Sequence, residues 1–174
     1  MDAFKQAMTL RRSPARTSGG SVLRSKRSEA LDFETTLRMV DAFFGRHGQP
    51  WALAGAAALS SYGLARATQD LDFVADAGFQ DPLVAHLEAA GYRTLHRSAG
   101  YSNHLHTDVA FGRLDFVYVG GDTSRRLFEG CREGVFAGRT VRVPRPEHLA
   151  AMKVQAMKND PDRRLQDLAD VRFL

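Results

Sequence analysis

The stretch from Trp51 to Asp76, WALAGAAALSSYGLARATQDLDFVAD, restricts the fold more than any other part of the chain. An apolar run, Trp51 to Ala54, breaks at Gly55 into a small-residue segment, passes Gly63 and Arg66, and ends in Asp70-Leu71-Asp72 before Phe73 and Val74. With residues 70–75 as a strand, the period of two places both carboxylates on one face and turns Leu71 and Phe73 to the other. Two acids on one strand face build a core badly and hold a divalent cation well. Upstream, residues 51–54 read as a short buried strand, and 56–62 as a helix stopped by Gly63.

The flanking segments supply a sheet for this strand and helices to cover it. Ser28 is a candidate cap for a helix with Phe33, Leu37, Val40 and Phe44 on one face, ended by Gly45 or Gly48 before Pro50. A second helix has Asp81 as its cap, Pro82 in the first turn, and Gly91 past its end. Residues 92–97 read as a strand. A hairpin follows, with 103–111 paired through Gly112 to 113–119 and closed by Gly120-Gly121. In its second strand Asp115 shares a face with Val117 and Val119, an acid among valines that needs a partner. Residues 123–130 are weakly helical, and 139–143 is an edge strand ended by Pro144. Pro146-Glu147 opens a helix carrying Leu149, Met152, Lys153 and Ala156, interrupted at 159–161. The last helix places Leu165, Leu168 and Val171 on one side and Asp167 and Asp170 on another. These two acids read as intrahelical pairs with Arg163 and Arg164. The pattern is a mixed α+β fold: a mixed sheet packed against helices, with C-terminal helices from about residue 146.

Charge divides the chain unevenly. Of a net +4, residues 1–28 carry seven basic side chains against Asp2 alone, a balance of +6, which leaves −2 for residues 29–174. The basic character therefore belongs to a tail, not to the domain, and argues little for nucleic-acid binding by the folded part. Residues 1–28 are rich in Arg, Ser and Gly and poor in large apolar side chains, and read as a flexible basic tail. Residues 29–174 read as one domain of ordinary size. No apolar run reaches the roughly 18 to 20 residues that span a bilayer, so the chain reads as soluble, with no membrane partner. Cys131 is the only cysteine, which excludes an internal disulfide and a multi-thiolate zinc site and fits the reducing cytoplasm. His104 and His106, two apart on an expected strand, read as packing residues, since no third ligand lies nearby in sequence.

Phosphoryl chemistry on a nucleotide needs cations, acids to hold them, and close backbone approach to the phosphates. Asp70, Asp72 and Asp115 supply three acids, and Gly55 at a strand-to-helix turn supplies the approach. For Asp115 the other reading is a salt bridge to Arg93 or Arg113.

Two segments carry a family likeness. Leu53-Ala54-Gly55-Ala56, followed by Tyr62-Gly63-Leu64-Ala65-Arg66-Ala67-Thr68-Gln69-Asp70-Leu71-Asp72, resembles the signature of the nucleotidyltransferase superfamily with the DNA-polymerase-β-like fold. It is most similar to the minimal nucleotidyltransferases and the AbiEii-type toxins. Val143 to Lys153 and Arg164 to Asp170 resemble that group's C-terminal helices, so the likeness covers about residues 30 to 174. The resemblance implies that Asp70 and Asp72 bind two Mg²⁺ ions, that Asp115 completes one metal site and assists deprotonation, and that an acceptor hydroxyl attacks the α-phosphate of a nucleoside triphosphate such as ATP, releasing pyrophosphate. Gly55 and Ala56 would form the phosphate turn and Lys153 would reach the triphosphate. Arg66 would reach it too, or else fix the turn before Asp70 through a salt bridge.

The chain departs from that group at two positions. Ala56 stands where relatives carry a second Gly or a Ser, which removes a hydroxyl contact to phosphate, and Gln166 stands where Lys is frequent. The expected function is metal-dependent transfer of a nucleoside monophosphate to a hydroxyl on RNA, on protein or on a small hydroxylated antibiotic, with an antitoxin partner in the toxin case. The alternative is a catalytically inactive binding or toxin–antitoxin partner protein on the same fold.

Overall fold

A computed structural model describes residues 31–159 and 161–174. The expected basic tail over 1–28 and the cap at Ser28 lie outside the described residues. The first described helix, α1 (Phe33–Arg46), is capped by Asp32, whose side chain accepts from the Thr35 backbone N–H. It buries Leu37, Val40, Phe43 and Phe44, the face that the apolar spacing marks.

β1 (Trp51–Leu53) leads through α2 (Gly55–Ser60) to β2 (Asp70–Asp76). A 3₁₀ turn, Ala77–Phe79, capped by Asp76, runs into α3 (Gln80–Ala89). Asp81 is therefore a first-turn acid and not the cap. β3 (Tyr92–Ser98) and β4 (Tyr101–His106) form a hairpin, and a 3₁₀ turn, Val109–Phe111, precedes β5 (Arg113–Val119). The strand expected over 103–111 thus starts two residues earlier and ends at His106. The five strands pair in the order β1-β2-β5-β4-β3, with β2 and β5 parallel and the other pairs antiparallel.

Leu71 and Phe73 of β2 and Leu114 and Phe116 of β5 are fully buried, and the rings of Phe73 and Phe116 stack at 4.8 Å. This face of the sheet belongs to the main core, together with Leu37, Phe44, Leu83 and Leu87. The opposite face is left for the acids. Beyond the sheet, α4 (Gly121–Glu129) precedes a separate hairpin of β6 (Arg132–Phe136) and β7 (Arg139–Val143). Its connecting residues Ala137 and Gly138 both have positive φ, 48° and 73°, the geometry of a tight two-residue hairpin turn. β7 is an edge strand, as its sequence suggests, and pairs along its whole length with β6, which completes a two-stranded sheet. α5 (Pro146–Asn159), a 3₁₀ turn Pro161–Arg163, and α6 (Arg164–Phe173) complete a mixed α+β fold of six α-helices among the described residues. None of these helices is long and apolar enough to cross a membrane.

Candidate active site

Parallel pairing of β2 and β5 decides which acids meet. Asp72 and Asp115 are Cα partners, and Asp70 is the partner of Arg113. Paired residues on neighbouring strands project to the same face about 4.8 Å apart, so the sheet brings Asp70, Asp72 and Asp115 together as the sequence predicts. Asp115 is 1% exposed, while Asp70 and Asp72 are half-buried.

Each acid is held in place. Thr68 Oγ1 donates to Asp70 Oδ1 at 2.8 Å and to the Asp70 carbonyl at 2.9 Å, a side-chain turn that sequence inspection missed. A Thr two residues before a strand acid is its only signal. Arg113 Nε donates to Asp115 Oδ1 at 2.8 Å, and Arg113 Nη2 donates to the Tyr101 hydroxyl at 3.4 Å. Arg113, not Arg93, is therefore the ion-pair partner of Asp115. Burial acts to lower the Arg113 pKa, but the Asp115 charge and the bonds to Asp115 and Tyr101 outweigh it and leave the pKa raised. Among the described residues no three His, Cys, Asp or Glu side chains are grouped around one point as ready cation ligands, with Asp70 turned to Thr68 and Asp115 to Arg113.

Gly55 is fixed by Asp72. Its φ is +60°, and a Cβ at this position would lie 1.9 Å from Asp72 Oδ2. Both conformation and space demand glycine here. The Asp72 carbonyl also accepts from the Ala54 N–H at 2.7 Å, so the turn and the acid are bonded into one unit. Two open hollows meet at Asp72. One has apolar walls of Leu59, Val117, Leu149 and Met152 with Gly55 and Lys153 at its side. The other is lined by Ala56, Arg66, Thr68, Asp70 and Gln166. Arg163 lies on the wall of both.

The last helix is turned opposite to its apolar pattern. Asp167 and Asp170 are 0% and 1% exposed, whereas Leu165 is 84% and Leu168 46% exposed. The acids face cations from elsewhere. Lys153 Nζ lies 2.9 Å from Asp167 Oδ1 and 2.8 Å from Asp170 Oδ2. Arg66 Nη1 and Nη2 donate to the two oxygens of Asp170 at 2.8 and 3.2 Å, a bidentate fork. The intrahelical reading holds for Asp167, which pairs with Arg163 at 3.8 Å, but the nearer partners of both acids come from outside the helix. Arg66, forked onto Asp170, also lines the polar hollow, while Lys153 lines the apolar hollow with its ammonium held by the two aspartates. The Gln166 amide, oriented with its oxygen toward Arg66, accepts from Nη1 and Nη2 at 2.8 and 3.2 Å. A lysine at that position would bring a second cation against the guanidinium.

The two strand histidines do not form a pair. Buried His104 contacts Ser102 Oγ through Nε2 at 2.8 Å and Thr94 Oγ1 through Nδ1 at 3.1 Å. His106 donates through Nε2 to the Ala90 carbonyl at 3.0 Å and accepts from the Asp108 N–H at 2.9 Å.

Several solved structures share this architecture. The antibiotic-resistance factor ANT(2'')-Ia aligns over 80% of each chain with 19% identity and a TM-score of 0.62. The lincomycin-bound lincosamide antibiotic adenylyltransferase LnuA aligns over 80% of this chain and 94% of its own, at 16% identity and 0.58. An antigenic nucleotidyltransferase-like protein from Paracoccidioides brasiliensis aligns over 83% and 76%, at 12% identity and 0.52. At these identities the likeness is one of fold. No curated protein sequence matches the chain. The family model of the AbiEii nucleotidyl transferase toxin, from type IV toxin–antitoxin systems, matches residues 39–174, a span that contains Gly55, the three strand aspartates and the Lys153–Asp170 cluster. The chain belongs to the AbiEii family of nucleotidyltransferases.

Proposed function

We propose that the protein transfers a nucleoside monophosphate from a nucleoside triphosphate, ATP among the candidates, to a hydroxyl acceptor, with divalent cations held by Asp70, Asp72 and Asp115. The observation that carries this reading is the row Asp72–Asp115 with Asp70 two residues along the same face, set against a glycine whose missing Cβ leaves room for the Asp72 carboxylate. The donor set fits the group: three carboxylates are hard oxygen ligands of the kind Mg²⁺ takes. Bound there, such ions would neutralise the triphosphate and stabilise the entering and leaving oxygens.

The chain's own residues supply the rest. The apolar hollow beside Val117 and Met152 receives the base, and the polar hollow receives the phosphates, with Arg163 on its wall as the facing cation. Asp115 takes the proton of the acceptor hydroxyl as its oxygen bonds to the α-phosphorus. The bond from that phosphorus to the bridging oxygen breaks, and pyrophosphate leaves. Family membership favours a toxin-type acceptor on RNA or protein, with an antitoxin partner, over the antibiotics whose enzymes share the fold alone. The lone Cys131 suits work in the cytoplasm.

The test is binding of labelled nucleoside triphosphates with and without Mg²⁺. We expect Mg²⁺-dependent binding of at least one triphosphate and a loss greater than about 100-fold in Asp70→Asn/Asp72→Asn, beyond the 10–100-fold typical of residues that merely support a metal ligand. Binding that is absent, or indifferent to metal and to both substitutions, would overturn the reading in favour of an inactive binding protein, for which Ala56 in the phosphate turn is the sequence mark.

A further inference from the structure

Leu31, the first described residue, sits at the rim of the polar hollow. A Cβ on Gly112 would lie 3.1 Å from Leu31 Cδ2 and 3.1 Å from the Gln69 carbonyl oxygen, and Gln69 lines that hollow together with Asp70 and Asp72. The Asp32 N–H donates to the Ala110 carbonyl at 2.7 Å, which holds the chain at this point. Residues 1–30 therefore enter the domain beside the end of β2 that carries Asp70.

The segment that arrives there is opposite in charge to the face it meets. Residues 1–28 hold seven cations against Asp2, and three of them, Arg24, Lys26 and Arg27, fall within four positions. On the sheet, Asp70, Asp72 and Asp115 share a face with Arg113. Carboxylates on one face repel one another and draw cations. Arg66 and Arg163, also on the hollow wall, are directed at Asp170 and Asp167 of α6. Reach is no obstacle: Arg27 precedes Leu31 by four residues and Arg24 by seven, at most about 14 and 25 Å of extended chain. A tether of that length holds the cations near the acids at an effective concentration on the order of millimolar.

We propose that residues 24–27 dock in the polar hollow of their own chain when no triphosphate is bound there, with their cations against Asp70 and Asp72, and so withhold the site from metal and nucleotide. A Mg²⁺-loaded triphosphate displaces them. The family match begins at residue 39, so this restraint is carried by a segment outside the shared domain. What it restrains rests on the transfer reading above.

Two measurements on the full chain test the docking. Trypsin cleaves after Arg24, Lys26 and Arg27 and, as an internal reference, after Arg11, Arg12 and Arg16. We expect the nearer group to be cut about tenfold more slowly than the farther one, as held segments are. The two rates should converge on addition of Mg²⁺ and triphosphate, and also in Asp70→Asn/Asp72→Asn. The second measurement is triphosphate affinity with Mg²⁺. Arg24→Gln/Lys26→Gln/Arg27→Gln should bind about tenfold more tightly than the parent at low salt, a gain that closes near 1 M salt, where the screening length is about 3 Å. Arg11→Gln/Arg12→Gln/Arg16→Gln carries the same change in charge and should stay within about twofold. Equal cleavage of the two groups, or slow cleavage that survives the double aspartate substitution, overturns the proposal. So does a nearer-group variant that binds no more tightly than the parent, and weaker binding would assign those cations to the ligand's phosphates. Equal tightening by both variants assigns the effect to net charge and overturns docking as well. If neither parent nor variant binds triphosphate, the transfer reading fails, and loss of slow cleavage in Asp70→Asn/Asp72→Asn decides the docking by itself.

Discussion

Asp70, Asp72 and Asp115 on the sheet and Asp167 and Asp170 on the last helix form two sets of aspartates treated in opposite ways. Asp70, Asp72 and Asp115 stand on strands, where pairing register fixes their spacing and a glycine is kept bare beside them. Asp167 and Asp170 stand on a helix, fully buried, each within 2.9 Å of the Lys153 ammonium, with Arg66 forked onto Asp170. The strand set lies along one face of the sheet, with Asp72 and Asp115 as direct partners. The helix set is a tie that joins α5, α6 and the turn leading into β2. Residue type alone does not separate them; the origin of the neighbouring cations does.

The sharpest way to break this comparison is to exchange the two kinds of loss. Asp170→Ala leaves Lys153 and Arg66 without a shared anion and should lower stability by about 3 kcal/mol or more, since breaking a buried pair on one side typically costs about 3–5 kcal/mol. Asp72→Ala should shift stability by less than about 1 kcal/mol while removing metal-dependent triphosphate binding. Denaturant titration beside a binding assay reads both, and equal destabilisation by the two substitutions would erase the distinction.

A smaller effect comes from a buried base with no such tie. Burial pushes the His104 pKa down to about 4, with the Glu88 charge acting weakly against it. The imidazole is neutral in the fold and binds a proton in the unfolded chain below about pH 6.5. The folded pKa is the lower one, so the unfolded state holds more protons in this window. Stability therefore falls as pH drops from about 6.5 toward 4, by about 3 kcal/mol at most for a group worth about 1.4 kcal/mol per pKa unit. Asn and Gln do not titrate, so His104→Gln should flatten that slope in urea midpoints measured across the range; an unchanged slope would assign it to other groups. The smallest effect belongs to the outer side of α6: Leu165→Lys, at a residue 84% exposed, should move the thermal midpoint by no more than about 0.5 kcal/mol equivalent.

Much of the strand set was legible in the sequence. The period-two alternation of Asp70-Leu71-Asp72-Phe73 and of Asp115 among valines marks faces directly, and Gly55 stands out at the end of an apolar run. The reason for that glycine was only half visible, because the Asp72 carboxylate that crowds it lies 17 positions away in sequence. The orientation of α6 was misread for the same kind of reason. A helical pattern ranks leucine above aspartate for burial, and only the arrival of Lys153 and Arg66 from outside the helix reverses that order. β6 escaped notice because Arg132-Glu133-Gly134 shows no apolar alternation and its residues are mostly exposed. Asp32 caps α1 through a bond to the Thr35 backbone N–H.

The Arg66–Asp170 fork joins residues 104 positions apart, and this bears on how the protein comes into being. A chain is made from its N-terminus at roughly 5–20 residues per second, so Asp170 is synthesised about 5 to 20 s after Arg66. Through that interval the segment leading into Asp70 lacks its anchor, however well the sheet has paired. The sheet can set the spacing of the strand aspartates before α6 docks, whereas the turn before Asp70 gains its anchor only afterwards.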